Sequence, residues 1–337
     1  MIKAVPSDSR QDRLVVLLPV FNDWAPAKIL LHRFDKTLAQ CGCETRVLLV
    51  NGGSTEPIPP NLALERFDAF RAVEVLHLRT NVGHQRAIAV GLMSIWRSRP
   101  PGAVVVMDAD GQDRPEDVIQ LVARFRELGE QKIVFAERRR LERMWFQALY
   151  YTYRWGHRML TGDPVRVGNF SIVPFPRLAQ LAVIPEIWNH YAAAIIRSRL
   201  PFETVPIDRG QRLAGRSRMN LTGLIMHGLS AFFVYGDIIG TRLLVGVGVL
   251  VAGLLLLAAA GLGLHVIQDW QIPDWLPIAV GFSGVLLLEA ILVALVLIFT
   301  VVGSGANARF LPIRDCPIFE DRSESFYEEP SHSAGPA

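Results

Sequence analysis

Two apolar runs near the C-terminus limit this chain most. The first spans about Leu243 to Ile267 and the second about Leu276 to Val302. Each exceeds the roughly 20 residues that cross a bilayer core. The connection between them, "QDWQIPDW", contains no Lys or Arg, whereas Arg242 precedes the pair and Arg309 and Arg314 follow it. The bias of basic residues toward the cytoplasmic side predicts a hairpin with both outer ends inside, and Trp270 and Trp275 as interface anchors. Glu289 interrupts the second run, a position read as functional by default or as a protonated helix contact. The rest of the 337 residues suffices for one soluble domain.

That domain reads as strands alternating with helices. "LVVLLPV" (Leu14 to Val20), "TRVLLVN", "AVEVLHL", "GAVVVMDAD" and "KIVFAERR" are near-continuous apolar runs. Between them lie segments with helical spacing, such as "RPEDVIQLVARFRELGE", which opens with Pro and acids. Solidly apolar strands separated by helices predict an α/β fold whose mostly parallel sheet is covered on both faces. Ligands of such sheets bind beyond the carboxyl ends of the strands. Residues 143–160, rich in Trp, Tyr, Phe and Arg, and the stretch from Asn220 toward Gly240 read as interfacial helices beside a membrane. The expected division is therefore a cytoplasmic domain at 1–219, an interfacial helix at 220–241, two spans at 242–302 and a polar tail at 303–337. Three cysteines without finger spacing fit a reducing compartment. The first apolar run is too short for a signal-peptide core. A net charge of +3 gives no reason to expect a nucleic-acid partner.

The fourth strand runs into "MDADGQDRPED", which places Asp108, Asp110, Asp113, Glu116 and Asp117 within ten positions. Glu116 and Asp117 suit a helix start. Asp108 and Asp110 need another reason, because crowded carboxylates raise one another's pKa. A divalent cation relieves that, and hard oxygen ligands suit Mg²⁺ or Mn²⁺. Two apart in an extended strand, Asp108 and Asp110 would point the same way, with Gln112 continuing the register. A metal held by so few protein ligands keeps positions for phosphate oxygens of a diphosphate leaving group. Arginines at 209, 212 and 218, with Ser217 and Gly215, offer forked phosphate donors and close backbone approach. Of Arg138, Arg139, Arg140 and Arg143, Arg138 lies at the end of the fifth strand and is the expected phosphate contact, with the others facing headgroups.

The ordered set "LLPVFND", "LVNGGSTE", "NVGHQRAIAVGL", "MDADGQDRPED" and "RGQRLAGRSRMN" resembles the family 2 glycosyltransferases, more narrowly the polyprenyl-phosphate sugar synthases of the dolichol-phosphate-mannose-synthase type. The resemblance covers about residues 14–310. It implies a GT-A fold, a nucleotide-diphosphate sugar donor, a polyprenyl phosphate acceptor and Mg²⁺ or Mn²⁺. It places Pro19, Phe21, Asp23, Asn51, Gly83, His84 and Arg86 at the nucleotide, and Asp108, Asp110 and Gln112 at the metal and diphosphate. It places Arg138, Arg209, Arg212, Ser217 and Arg218 at the acceptor phosphate. A multi-pass protein of the cytoplasmic membrane, with its catalytic domain inside, is expected; a homo-oligomer is left open. Two departures delete negative charge. Asn51 and Gly52 stand where the family usually has paired acids, and Asn169 where it has Asp, so Asn169 cannot be a general base. A phosphate acceptor is already largely dianionic and needs none. The expected reaction is a single inverting displacement. The alternative is a catalytically impaired relative that binds nucleotide sugar or lipid phosphate as a regulator.

Overall fold

The computed structural model describes residues 13–39, 43–62, 65–99, 102–139, 156, 158–162, 167–215, 229–268, 273, 275–306 and 310–329. Ser217, Arg218, Arg140, Arg143, residues 220–228 and most of the 143–160 segment lie outside these. The chain divides into two compact units. One comprises residues 1–150, 165–234 and 310–337, the other 151–164 and 235–309.

The first unit is built on an eight-stranded sheet. Its strands are β1 (Arg13–Val20), β2 (Glu44–Asn51), β3 (Phe70–Leu78), β4 (Ala103–Val106), β5 (Ile133–Arg139), β6 (Ser171–Pro174), β7 (Phe202–Asp208) and β8 (Glu320–Glu328). Their order across the sheet is β7-β5-β6-β4-β1-β2-β3-β8. The pairs β1–β2, β1–β4, β2–β3 and β5–β7 are parallel. The short β6 runs antiparallel between β4 and β5. The expected α/β class with a mostly parallel sheet is therefore present.

Burial of both faces explains why the central strands are apolar throughout. On β1, Leu14, Val16, Leu18 and Val20 pack with Leu30 and Phe34 of α1 (Trp24–Leu38) and with Leu121 and Phe125 of α3 (Pro115–Glu127). Val15 and Leu17 turn to the other face, against Ile88 and Leu92 of α2 (His84–Ser98). Residues at successive positions thus serve two separate cores. Helices α4 (Phe175–Leu181) and α5 (Tyr191–Arg197) complete the α2 face. Gly91 lets α2 approach the sheet: a Cβ there would collide with Leu17 and Val50.

The second unit holds α6 (Gly236–Gln268) and α7 (Trp275–Ala306), which pack on each other. Both are long and apolar enough to cross a membrane, and their side chains are mostly exposed. Glu289 is among the exposed residues of α7.

One expectation needs correction. The segment read as a polar tail returns to the sheet. Its short helix α8 (Pro312–Asp315) leads into β8, which pairs antiparallel with β3 and covers that edge. Tyr327 packs edge-on against Phe67 and donates a hydrogen bond to the Phe67 carbonyl. The polar run hid a strand because an edge strand buries little of itself.

Candidate active site

The carboxyl ends of β1, β2 and β4 lie side by side and form the floor of the site. Asn22 joins the first two. It sits at a positive φ of 55°, accepts from the Thr55 and Glu56 amides, and its side-chain amide donates to Thr55 Oγ1. Sequence reasoning passed over it; the signal was an Asn just past a strand, a residue that tolerates the left-handed region. Pro19 is buried within β1, and Phe21 projects, 39% exposed, just beyond its end.

The acid turn follows β4. That strand ends at Val106, and Ala109 and Asp110 already lie in a turn. Strand alternation therefore does not align Asp108 and Asp110; the turn does. Asp110 Oδ1 accepts from the Gln112 amide at 2.9 Å, and Asp113 Oδ2 accepts from the Asp108 amide at 2.9 Å. Gly111, at φ 85°, completes the turn where a Cβ would strike Leu213. Backbone bonds from Leu213 N to Asp110 O and from Gly210 N to Gln112 O tie the 209–213 loop onto the turn. This brings the arginines of a distant segment to the acids.

The crowded carboxylates are each met by a cationic or hydrogen-bonding side chain. Arg212 bridges Asp23 and Asp110. Arg138 pairs with the buried Asp113. His84 Nε2, at the first residue of α2, lies 3.1 Å from Asp108 Oδ1. Arg209 donates to Gln112 Oε1 at 2.6 Å. Partial desolvation alone would lower the His84 pKa; the Asp108 charge and hydrogen bond outweigh it and raise the value. Burial alone would raise Asp108, yet His84, Arg138 and Asn169 hold it below the ordinary carboxylate value. Burial and the Asp108 charge push Asp113 up to about 6, against Arg138. Asp110 is raised by burial and by Asp108, despite the Gln112 amide and Arg212. A cavity of about 400 Å³ adjoins the turn, lined by Arg33, Gly111, Arg114, Glu116, Gly210 and Arg212 among others.

The structure thus gathers Asp23, His84, Asp108, Asp110, Gln112, Arg138, Arg209 and Arg212. Three further expected nucleotide contacts have partners or positions of their own. Asn51 ends β2, buried, with Oδ1 accepting from the Ser54 amide and Nδ2 facing His77 Nδ1. Gly83 caps α2. Arg86 lies over the Trp188 ring, 5.2 Å from its centroid, which occupies its cation face. Asp113 and Gln85 were missed as site builders, because each acts through a neighbour distant in sequence.

Among the described residues, no three His, Cys, Asp or Glu side chains converge as a ready-made metal cage. The donor set still fits a cation of the Mg²⁺ type, which takes one or two carboxylates and fills its shell with water and phosphate. Oδ1 of Asp108 is buried, with His84 Nε2 beside it at 3.1 Å. A cation at that oxygen would take the place of the imidazole contact.

The glycosyl transferase family 2 profile matches residues 15–175, which contain most of β1, all of β2 through β6 and the acid turn. These residues are similar to the family 2 glycosyltransferases. A Bacillus subtilis (strain 168) protein described as an uncharacterized glycosyltransferase, YkcC, is 25% identical over 239 residues, 66% of this chain and 69% of that one. The undecaprenyl-phosphate 4-deoxy-4-formamido-L-arabinose transferase of Klebsiella pneumoniae is 29% identical over 113 residues, 33% of each chain. Among solved structures, glucosyl-3-phosphoglycerate synthase from Mycobacterium tuberculosis aligns with a TM-score of 0.47 at 15% identity. That alignment covers 68% of this chain and 80% of that one.

Proposed function

We propose that the protein is an inverting glycosyltransferase that moves a sugar from a nucleotide-diphosphate sugar to a polyprenyl phosphate. One observation carries the reading. Acids and arginines converge at the end of β4, whose acid turn falls in the stretch that matches the glycosyl transferase family 2 model, in a chain that also holds two helices long enough to cross a bilayer. The acceptor class draws support from the name of the Klebsiella relative. The proposed setting is a cytoplasmic membrane spanned by α6 and α7, with the domain on the cytoplasmic side.

In this reading Asp108, Asp110 and Gln112 hold Mg²⁺ or Mn²⁺, which neutralises charge growing on the departing diphosphate. Asp23, Asn51, Gly83 and His84 border the nucleotide, with Pro19 and Phe21 beneath it. Arg212 has to release Asp23 and Asp110 to take phosphate oxygens, a forked exchange that a guanidinium suits. Arg138, Arg209 and Arg212, with Ser217 and Arg218, take the acceptor phosphate. A phosphate oxygen attacks the anomeric carbon, that carbon's bond to the diphosphate oxygen breaks, and the nucleoside diphosphate departs. No proton is removed from the nucleophile, so Asn169 is adequate where a hydroxyl acceptor would need a base.

A second reading, a non-catalytic relative that binds the same ligands, is favoured by Asn51 and Gly52 in place of acids. One experiment separates the two. Purified protein is incubated with polyprenyl phosphate, Mg²⁺ or Mn²⁺ and a panel of nucleotide sugars, and lipids are identified by mass spectrometry. Transfer predicts a polyprenyl-phosphate sugar that is lost with EDTA. Metal-dependent binding of a nucleoside diphosphate without product sinks the catalytic reading.

A further inference from the structure

His84, the first residue of α2, sits between two groups that make opposite demands on its ring. The Tyr191 amide, at the start of α5, donates to Gln85 Oε1 at 2.8 Å. A backbone N–H can only donate, so Gln85 presents its oxygen there and its Nε2 to Asn169 Oδ1, at 3.1 Å. The Asn169 NH₂ group is therefore left toward His84 Nε2, 3.0 Å away. The same ring nitrogen lies 3.1 Å from Asp108 Oδ1. A proton on Nε2 would satisfy the carboxylate but meet an N–H of the amide. A lone pair on Nε2 would accept from the amide but face the carboxylate. No form of the ring suits both neighbours. The amides have little room to relieve the conflict, because Gln85 is 8% exposed and tied to the backbone.

A cation resolves it. The ion takes the Nε2 lone pair and the Asp108 charge together, and the Asn169 NH₂ group keeps the Asp108 carboxylate as its acceptor. Two ligand atoms at right angles, each roughly 2.1 Å from an ion, lie about 3.0 Å apart. The 3.1 Å between Nε2 and Oδ1 matches that edge. We propose that His84 Nε2 is a direct ligand of the cation beside Asp108 and makes the site prefer Mn²⁺ to Mg²⁺. The inference rests on the metal role in the glycosyl-transfer reading and deepens it. Mg²⁺ keeps to oxygen ligands and sheds water reluctantly. Imidazole nitrogen suits first-row transition ions, and Mn²⁺ is the transition ion of the two. The rest of the shell falls to the acid turn, water and diphosphate oxygens.

Pulsed electron paramagnetic resonance of the full chain in detergent, loaded with Mn²⁺ alone, reads the bond directly. A coordinated imidazole couples its nitrogen nucleus to the manganese spin. Wild type is expected to show that coupling, and His84→Ala to lose it. In competition titrations the wild-type Kd for Mn²⁺ should lie about ten-fold or more below that for Mg²⁺, and the gap should narrow to about three-fold or less in His84→Ala. His84→Gln keeps a polar side chain but offers oxygen, so it should lose the coupling too and decides the matter if the alanine variant fails to fold. Mn²⁺-loaded wild type without nitrogen coupling, or coupling that survives in a folded variant, overturns the assignment. So does a parallel loss of Mn²⁺ and Mg²⁺ affinity. Sugar transfer that persists without the coupling leaves the glycosyl-transfer reading standing. Coupling without any transfer contradicts that reading and leaves the ligand in place. Protein that binds neither ion overturns the ligand and the metal role alike.

Discussion

Arg212 spans Asp23 at the end of β1 and Asp110 in the acid turn, a task that needs two separated donors. Lysine is a point charge and cannot fork in this way. Arg212→Lys is therefore expected to lose about ten-fold or more in kcat/KM, and Arg212→Ala about a hundred-fold, as when a transition-state donor is removed. Steady-state rates with both substrates varied would show it, and a lysine variant at wild-type efficiency would contradict the bridging role. His84 gives a prediction with a sign. Its folded pKa lies above the ordinary 6.5, so its contribution to stability is complete below 6.5 and fades as pH rises through the folded value. In metal-free protein, the stability gap between wild type and His84→Gln should shrink with rising pH above 6.5. Thermal unfolding across pH measures it; a gap that widens would reverse the sign. At this scale the acids and the arginines were legible, since four apolar residues ran straight into carboxylates and the basic spacing suited phosphate. Asp113, Asn22 and Gln85 were not, because a buried amide or acid gains its role from partners that only the fold supplies.

The elements divide in the same way. Strands buried on both faces announce themselves as apolar runs, and β1 through β5 were readable for that reason. The short β6 and the polar β8 carry weaker patterns, and β8 lies beyond two long helices from the sheet it joins. Its hold on β3 can be tested at one side chain. Tyr327 stacks edge-on against Phe67 at 5.5 Å between centroids, and its hydroxyl bonds the Phe67 carbonyl at 2.8 Å. Tyr327→Ala should cost about 2 kcal/mol, the order expected for a half-buried aromatic with one hydrogen bond. Denaturant unfolding in detergent would measure this; no loss would mean that β8 is a passive cover. Expecting Asp108 and Asp110 to align by strand alternation failed at this scale too, since β4 is only four residues long and the acids belong to the turn after it.

At the scale of the whole molecule, the sheet is completed by residues that follow the apolar helices in sequence. A fragment of residues 1–234 therefore lacks β8 and bares the β3 edge, which invites edge-to-edge association. It should aggregate by light scattering, and co-expression with residues 310–329 should reduce this; a monodisperse fragment would contradict the edge argument. The proposed reaction joins a nucleotide-sugar donor to a lipid-borne nucleophile, and it turns on the acids past β4. Its most direct test is the initial rate of sugar transfer to polyprenyl phosphate by Asp110→Ala beside wild type. A fall of about a thousand-fold or more is expected if Asp110 holds the ion that carries the leaving diphosphate. Turnover close to wild type would contradict it.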